Sequence, residues 1–538
     1  MNNYSSLYQA IKAWDTPNNK QLCAIHFKNH TISYHKMIQQ IQKMASFFKG
    51  LGVKEGDVVT VSLPNVPQTI YAFYALDMIG AIQNIIHPLT PLNKIIESME
   101  KTNSHVGILN EMVYQNNIDR FEKTRDIFIF VNPMSDVNIL MKHLFYTKYR
   151  KARTYHNKHL KRHIYHMDEY KQCKGIEEDH SNGLKNSIYL HSGGTTGNPK
   201  VIALSDQAIN NLAAKVNDII GGSIKGMGML AVLPLFHGFG LGMGVHAPLA
   251  NGCSTCIEMK FDVKETLKWI DKGIVNLMIG VPALYNKLLK DDDLSKTNLT
   301  RVKVAFVGGD NVPPSLLKTF NETMDSHGSQ ALLMEGYGLT ETVTVCSVNT
   351  LAHHKEGSIG RMLTGLKAMV LDEQGQSVPN GTVGELYVSG NTMMNGYLGD
   401  PEATHKTLVE INKEIWVKTG DLAYQDDEDY LFFKSRIKRL FIIAGYNVYP
   451  SEIEKIASDR EEIKAAALEY FTEPHSHLNL YLIRKPSAKS DDALRNEIMD
   501  DLKNNVLKFS LPSHIIFMES FPETTVGKIN HQGFKDIE

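Results

Sequence analysis

The stretch His191–Lys200, HSGGTTGNPK, sets three hydroxyl side chains (Ser192, Thr195, Thr196) among Gly193, Gly194 and Gly197 and ends in Lys200. Glycines expose backbone N–H groups, hydroxyls donate hydrogen bonds and an ammonium adds charge. Together these suit the β- and γ-phosphates of a nucleotide. The spacing is not the GxxxxGK[ST] of a Walker loop, which opens directly into a helix. Here SIYL before the loop and VIALS after Lys200 read as strands, with Ser205 and Asp206 placed to cap a helix over DQAINNLAAKVND. The loop is therefore expected as a hairpin-like flap between strands. A flexible surface turn is the bland alternative for the same residues.

The elements around the loop alternate in type. GDVVTVSLP (56–64) reads as a strand, VPQTIYAFYALDMIGA as a mostly apolar helix, IQNII as a strand, and SHVGIL and DIFIFV repeat the idea. Farther on come VKVAFVGG, a helix started by Pro313 and Pro314, and the strand ALLMEGYG. This alternation predicts an α/β fold with a large N-terminal domain of helix-covered, mostly parallel sheets. Beyond about residue 438 shorter strands (LNLYLIRK, HIIFMESF) and helices (SEIEKIAS, DALRNEIMDDLKNNV) predict a small α+β C-terminal domain. The division is drawn as 1–437 and 438–538.

The composition bounds the function. The 538 residues are 42% hydrophobic and 22% charged, enough for a large core and at least two domains. A net charge of −2 gives no global attraction for nucleic acid, so none is expected as a partner. Five scattered cysteines do not make a disulfide framework and fit a reducing cytosol, and the C-x-x-C at Cys253 and Cys256 reads as an ordinary strand. MNNYSSLYQAIKAW lacks a signal-peptide core, and Leu7, Ile11 and Trp14 mark one helix face. Residues 226–250 carry no Asp, Glu, Lys or Arg, but Pro234, Pro248, His237, His246 and six glycines suit a buried strand, a turn and a pocket wall better than a membrane span.

SGGTTGNPK resembles the phosphate loop of the adenylate-forming superfamily, which includes acyl- and aryl-CoA synthetases, peptide-synthetase adenylation domains and luciferases. Its other signatures are matched in order: VGGD (307–310), GYGLTET (336–342), GSIGR (357–361), GELYVSG (384–390), MNGYLGDPEAT (394–404), KTGDLAY (418–424), SRIKRLFIIAGYNVYPSEIE (435–454) and TTVGKI (524–529). The resemblance runs through nearly the whole chain. It implies that Tyr337 stacks on adenine, with Gly338 beside it, that Thr340 holds the α-phosphate, and that Glu341 binds Mg²⁺. Gly308, Gly309 and Asp310 would line the adenine, Asp310 standing where alanine is more usual. Asp421 would accept from both ribose hydroxyls, as an ionised carboxylate with two acceptor oxygens is able to do. Arg436 would contact the nucleotide, and Lys438 would be the hinge about which the C-terminal domain turns. Gly445 and Tyr446 would meet the pantetheine thiol arm, and Lys528 would be the catalytic lysine. Val201, Ser389 and Lys418 depart from the family's usual residues without removing a group assigned to chemistry.

The implied reaction joins a carboxylate to MgATP, giving acyl-AMP and pyrophosphate, and then passes the acyl group to the thiol of coenzyme A. PLFHGFGLGMG places catalytic His237 in the pocket-and-thiol region, and Gly238, Gly240, Gly242 and Gly244 leave space for an acyl chain unless strand and helix close on them. With the SGGTTG form, which resembles some bacterial fatty-acid enzymes, this favours a medium- or long-chain fatty acid. An aryl-CoA ligase, a ligase loading an acyl carrier protein and a non-catalytic acyl or nucleotide sensor are the alternatives. Between Asp136 and Asp168 no acidic residue interrupts a basic run interleaved with Phe145, Tyr146, Tyr149 and Tyr155. Residues 142–163 thus suit contact with an anionic membrane, and a solvated basic helix is the plainer reading. The expected location is cytoplasmic, with peripheral contact at the inner membrane face, and the sequence leaves homodimerisation open.

Overall fold

The computed structural model describes residues 4–115, 121, 126–134, 147, 163–180, 182–191, 200–310, 312–443, 446–471, 477–486, 489–506, 508–523, 529–535 and 537. Two large sheets dominate. An eight-stranded sheet runs in the order Gly396–Tyr397, Val201–Ser205, Asn186–His191, Ile82–Ile85, Val58–Ser62, Ser104–Asn110, Ile127–Val131, Ile164–His166. It is parallel from Asn186–His191 outward and antiparallel at the Val201–Ser205 end. A nine-stranded sheet is parallel from Leu333–Gly338 through Val304–Val307, Leu277–Gly280, Gly228–Ala231 and Ser254–Ile257 to Cys23–Phe27. Its edges turn antiparallel. Such strands are buried on both faces, which is why they read as unbroken apolar runs such as IFIFV and VAFV.

Every residue of the helix Pro67–Met78 is buried, and one continuous core contains residues of this helix and of both sheets. The N-terminal helix Leu7–Lys12 buries Leu7 and Ile11, and the Trp14 indole N–H donates to the Ala250 carbonyl at 2.9 Å. A five-stranded antiparallel sheet follows, with Glu414–Gln425 pairing Gly384–Gly390, Leu408–Ile411 and Leu431–Arg436. The C-terminal part is smaller: Ile463–Phe471, His477–Arg484 and His514–Met518 form a three-stranded sheet, covered by Pro450–Ser458 and Asp491–Asn505. Its apolar cluster, from Val448 to Ile515, shares no residue with the large core.

Two local expectations change. DQAINNLAAKVND is not one helix: Asp206–Ala213 stops and Val216–Ile220 starts again. The break falls where the Lys215 ammonium turns to donate to the Thr364 carbonyl at 2.7 Å. Ser205 alone is the N-cap, accepting from the Ala208 N–H at 3.2 Å, while Asp206 is buried and accepts from the Asn182 N–H. In 226–250 the strand Gly228–Ala231 is followed by a turn and then a π-helix, Phe239–His246. Among the described residues no helix is long and apolar enough to cross a membrane.

Candidate active site

Asn186–His191 and Val201–Ser205 pair antiparallel with His191 opposite Val201, so the glycine-rich loop does connect two neighbouring strands. Ser192, Gly193, Gly194, Thr195, Thr196 and Gly197 lie outside the described residues, as do Gly445, Lys528 and nearly all of the basic segment 142–163. At the base of the loop, burial pushes His191 down to about 4, so its imidazole is neutral where it meets Asn84 at 2.7 Å. At the far end Lys200 Nζ stands 4.2 Å from the centre of the Tyr397 ring.

The strand Leu333–Gly338 carries Tyr337 to one side of the site. A Cβ on Gly338 would lie 1.7 Å from the Thr344 carbonyl oxygen, so only glycine permits this turn of the chain. Gly308 makes a similar approach, its Cβ position 2.7 Å from the Gly336 oxygen, while Gly309 takes φ +82° and Asp310 is exposed. Across from Tyr337, Asp421 sits in the strand Glu414–Gln425 directly opposite Arg436 in Leu431–Arg436. The Tyr337 hydroxyl donates to Asp421 Oδ2 at 2.5 Å, and Arg436 Nε lies 3.3 Å from Oδ1. Asp421 is fully buried, and Oδ1 accepts no hydrogen bond. Burial raises its carboxyl above the usual range against the pull of Arg436 and Tyr337; burial, and then Asp421 itself, raise the Tyr337 phenol. A carboxylate with one unsatisfied oxygen beside an aromatic ring and a guanidinium is suited to paired hydroxyl donors.

Thr340 and Glu341 lie in the single 3₁₀ turn Thr340–Thr342 that follows Tyr337. Glu341 Oε1 accepts from the Tyr397 hydroxyl at 2.7 Å, and the Glu341 carbonyl accepts from the Met394 N–H at 2.8 Å. Among the described residues no three acidic, histidine or cysteine side chains gather as a metal cage. The arrangement still fits Mg²⁺, which takes one or two carboxylates and completes its shell with substrate phosphates and water. Glu341 offers that carboxylate, and among the described residues Oε2 accepts no hydrogen bond. The turn ends at Val343, whose φ of 68° and ψ of −58° are those of a strained γ-turn, rare for a β-branched residue.

The glycine wall corrects an expectation: it is filled. A Cβ on Gly238 would lie 2.0 Å from the Val343 oxygen, and one on Gly240 2.2 Å from the Pro234 oxygen. Those on Gly242 and Gly244 would meet Leu212 Cδ2 at 3.2 Å and Ile279 Cδ1 at 3.3 Å. The glycines let the π-helix close on its neighbours instead of holding a channel open. His237 lies in the turn before this helix, half-buried, with Nδ1 accepting from the Phe239 N–H at 3.3 Å, which leaves the proton of a neutral ring on Nε2.

Arg436 is the last residue of its strand, and the 3₁₀ turn Ile437–Arg439 follows with Lys438 exposed. Lys434 pairs with Glu452 at 2.8 Å and Arg439 with buried Glu454 at 2.7 Å, tying both sides of this turn to the helix Pro450–Ser458. Tyr446 begins the strand Tyr446–Val448. The structure thus joins Tyr337 to Arg436 through Asp421 and Lys200 to Glu341 through Tyr397, with Tyr337, Thr340 and Glu341 on one short stretch of chain. It also brings in Tyr397, which no sequence motif had assigned a role.

Comparison with known proteins agrees with this geometry. Residues 13–398 match the family described as AMP-binding enzyme. The long-chain-fatty-acid–CoA ligase of Bacillus subtilis (strain 168) is 28% identical over 524 residues, covering 94% of this chain and 90% of that protein. 4-Coumarate–CoA ligase 1 of Solanum tuberosum is 25% identical over 527 residues, 95% and 90% of the two chains. The crystal structure of the anthranilate CoA ligase AuaEII in complex with anthranoyl-AMP superimposes with a TM-score of 0.84 at 18% identity, covering 100% of this chain and 98% of the other. With more than half of its length matched, the chain belongs to the AMP-binding enzyme family of adenylate-forming ligases.

Proposed function

We propose that the protein activates a carboxylic acid with MgATP and transfers the acyl group to coenzyme A, with a medium- or long-chain fatty acid as substrate. Asp421 carries this reading. A buried carboxylate oxygen that accepts no hydrogen bond and meets only the Arg436 guanidinium costs stability unless a ligand donates to it, and ribose hydroxyls beside a Tyr337-stacked adenine would do so. Arg436, 3.3 Å from the same carboxylate, would contact the nucleotide. Gly308, Gly309, Asp310 and Gly338 would form the backbone edge of the adenine slot.

In the first half-reaction the acid's carboxylate oxygen attacks the α-phosphorus, and the bond from that phosphorus to the pyrophosphate oxygen breaks. Lys528 brings the two anions together and neutralises charge on the nonbridging oxygens, with the Thr340 hydroxyl on the α-phosphate. Residues 192–197 and Lys200 hold the departing pyrophosphate. Glu341 would hold magnesium, which when bound would supply charge neutralisation across the phosphates. In the second half-reaction the thiol sulfur attacks the acyl carbon and AMP leaves, with Gly445 and Tyr446 along the thiol arm and His237 near the acyl group. Residues 438–538 would turn at Lys438 between the two steps, against a fixed 1–437.

The fatty-acyl assignment is supported by the SGGTTG form and by the ligase of Bacillus subtilis. An aryl acid is the second reading, and the filled glycine wall favours it, since a flat, short acid needs less room than a chain. Contact of 142–163 with an anionic membrane would serve the fatty-acyl reading. A pyrophosphate-release screen over acids of graded chain length and aryl acids, with and without coenzyme A, tests the proposal. Release with no acid in the series would overturn the adenylating role; release unaffected by coenzyme A would overturn it as acceptor.

A further inference from the structure

Tyr397 stands where the phosphate-loop strand and the Glu341 turn meet. Its two-residue strand Gly396–Tyr397 pairs antiparallel with Val201–Ser205, the strand that leaves the loop, with Tyr397 opposite Ile202. Neighbouring backbone bonds pin it further: Leu398 N–H to Val201 O and Asn395 N–H to Ala203 O, both 2.8 Å, and on the other side Met394 N–H to Glu341 O. The Tyr397 N–H donates to Thr404 Oγ1 at 2.9 Å, and Gly396 before it takes φ +143°, with a Cβ position 2.9 Å from Thr404 Cγ2. A ring fixed this firmly does not follow either of the charges it touches. Its hydroxyl donates to Glu341 Oε1 at 2.7 Å, and its face lies 4.2 Å from Lys200 Nζ. A phenol is protonated, and so a donor, throughout the neutral range.

We propose that Tyr397 is a positioning residue that couples the phosphate loop to the metal-binding carboxylate. Its hydroxyl fixes one oxygen of Glu341 so that the other is presented to the cation, and its ring fixes the Lys200 ammonium against the departing pyrophosphate. The inference rests on the acid-adenylating reading, in which Glu341 holds magnesium. Hydrogen-bond partners of metal-ligating carboxylates orient them, and losing one costs affinity for the metal; the face of a tyrosine ring holds a cation by its quadrupole.

The test uses the full chain with no acid present, so that nothing turns over. Mn²⁺ and Mg²⁺ are titrated against enzyme and ATP, with free Mn²⁺ read by electron paramagnetic resonance and ATP binding by calorimetry. Tyr397→Phe is expected to raise the half-saturating metal concentration roughly tenfold, leaving ATP binding in EDTA and the melting temperature near those of the wild type. Tyr397→Leu should do the same and also weaken pyrophosphate binding without metal, because Lys200 loses the ring. In a Glu341→Gln background Tyr397→Phe should add nothing to the metal defect. Wild-type metal dependence in Tyr397→Phe, additive losses in the double variant, or a metal defect only where the melting temperature collapses would each overturn the inference. A wild type that releases no pyrophosphate with any acid would instead overturn the functional reading itself.

Discussion

Asp421→Asn should move nucleotide binding and stability in opposite directions. The asparagine keeps the shape and one acceptor oxygen but removes the charge facing Arg436 and the Tyr337 hydroxyl. A hydrogen bond to a charged group contributes about 1.5–3 kcal/mol, so ATP should bind roughly ten- to a hundredfold more weakly by calorimetry. Stability runs the other way. The folded carboxyl is raised by burial, so below its unfolded value of about 4 it is protonated in both states and ionisation costs nothing. As the pH rises through that value toward the raised folded one, the unfolded chain releases its proton more readily, and native stability falls. Asparagine carries no such cost. The melting temperature of the variant relative to the wild type should therefore climb as the pH rises above about 4, whatever constant offset the lost contacts add. Unchanged ATP affinity would remove Asp421 from the nucleotide site, and a gap that shrinks with rising pH would refute the burial argument.

Lys528→Ala should abolish acyl-AMP formation while leaving thioester formation from supplied acyl-AMP largely intact; equal loss in both half-reactions would defeat the two-step assignment. Gly238→Ala puts a Cβ 2.0 Å from the Val343 oxygen, so the backbone must yield. It should lower stability by about 1–3 kcal/mol, visible in the melting temperature, and reduce pyrophosphate release by moving the Thr340–Thr342 turn. Medium- or long-chain fatty acids should outcompete acetate and aryl acids, at about 0.8 kcal/mol per buried methylene. Neutralising Lys148, Arg150, Lys151 and Arg153 should reduce anionic-liposome binding at low salt without changing turnover on short acids. A preference for aryl acids with no liposome binding would leave the aryl reading standing.

The parallel sheets were legible because strands buried on both faces leave unbroken apolar runs, as in IFIFV and VAFV, and because Ser205 and Pro314 mark helix starts by chemistry local to the sequence. The π-helix Phe239–His246 was not legible: alternate glycines carry no apolar periodicity, and what holds them helical is contact with Val343, Leu212 and Ile279 from elsewhere. The same distance effect hid the break at Lys215, which answers to Thr364. The residues proposed to bind the nucleotide were visible only as motifs. That Asp421 and Arg436 face each other across a strand pair, or that Tyr397 reaches Glu341, depends on pairings between distant segments that spacing does not encode.

The glycine wall also bears on how the acid specificity of such a protein can change over evolutionary time or in the laboratory. Gly238 and Gly240 abut carbonyl oxygens of the main chain, one of them in the γ-turn that closes the Thr340–Glu341 segment. Bulk added at Gly238 presses on the Thr340–Thr342 turn, so on the proposed adenylating function a variant enlarged there would disturb the ATP half-reaction. A Cβ on Gly242 would meet Leu212 Cδ2 at 3.2 Å, Thr344 Cγ2 at 3.4 Å and Val343 Cγ1 at 3.6 Å, and one on Gly244 would meet Ile279 Cδ1 at 3.3 Å and Ala231 Cβ at 3.5 Å. On the proposed function, substitution at Gly238 or Gly242 would thus reach the Val343 turn, whereas at Gly244 it would press on Ile279 and Ala231 of the parallel sheet.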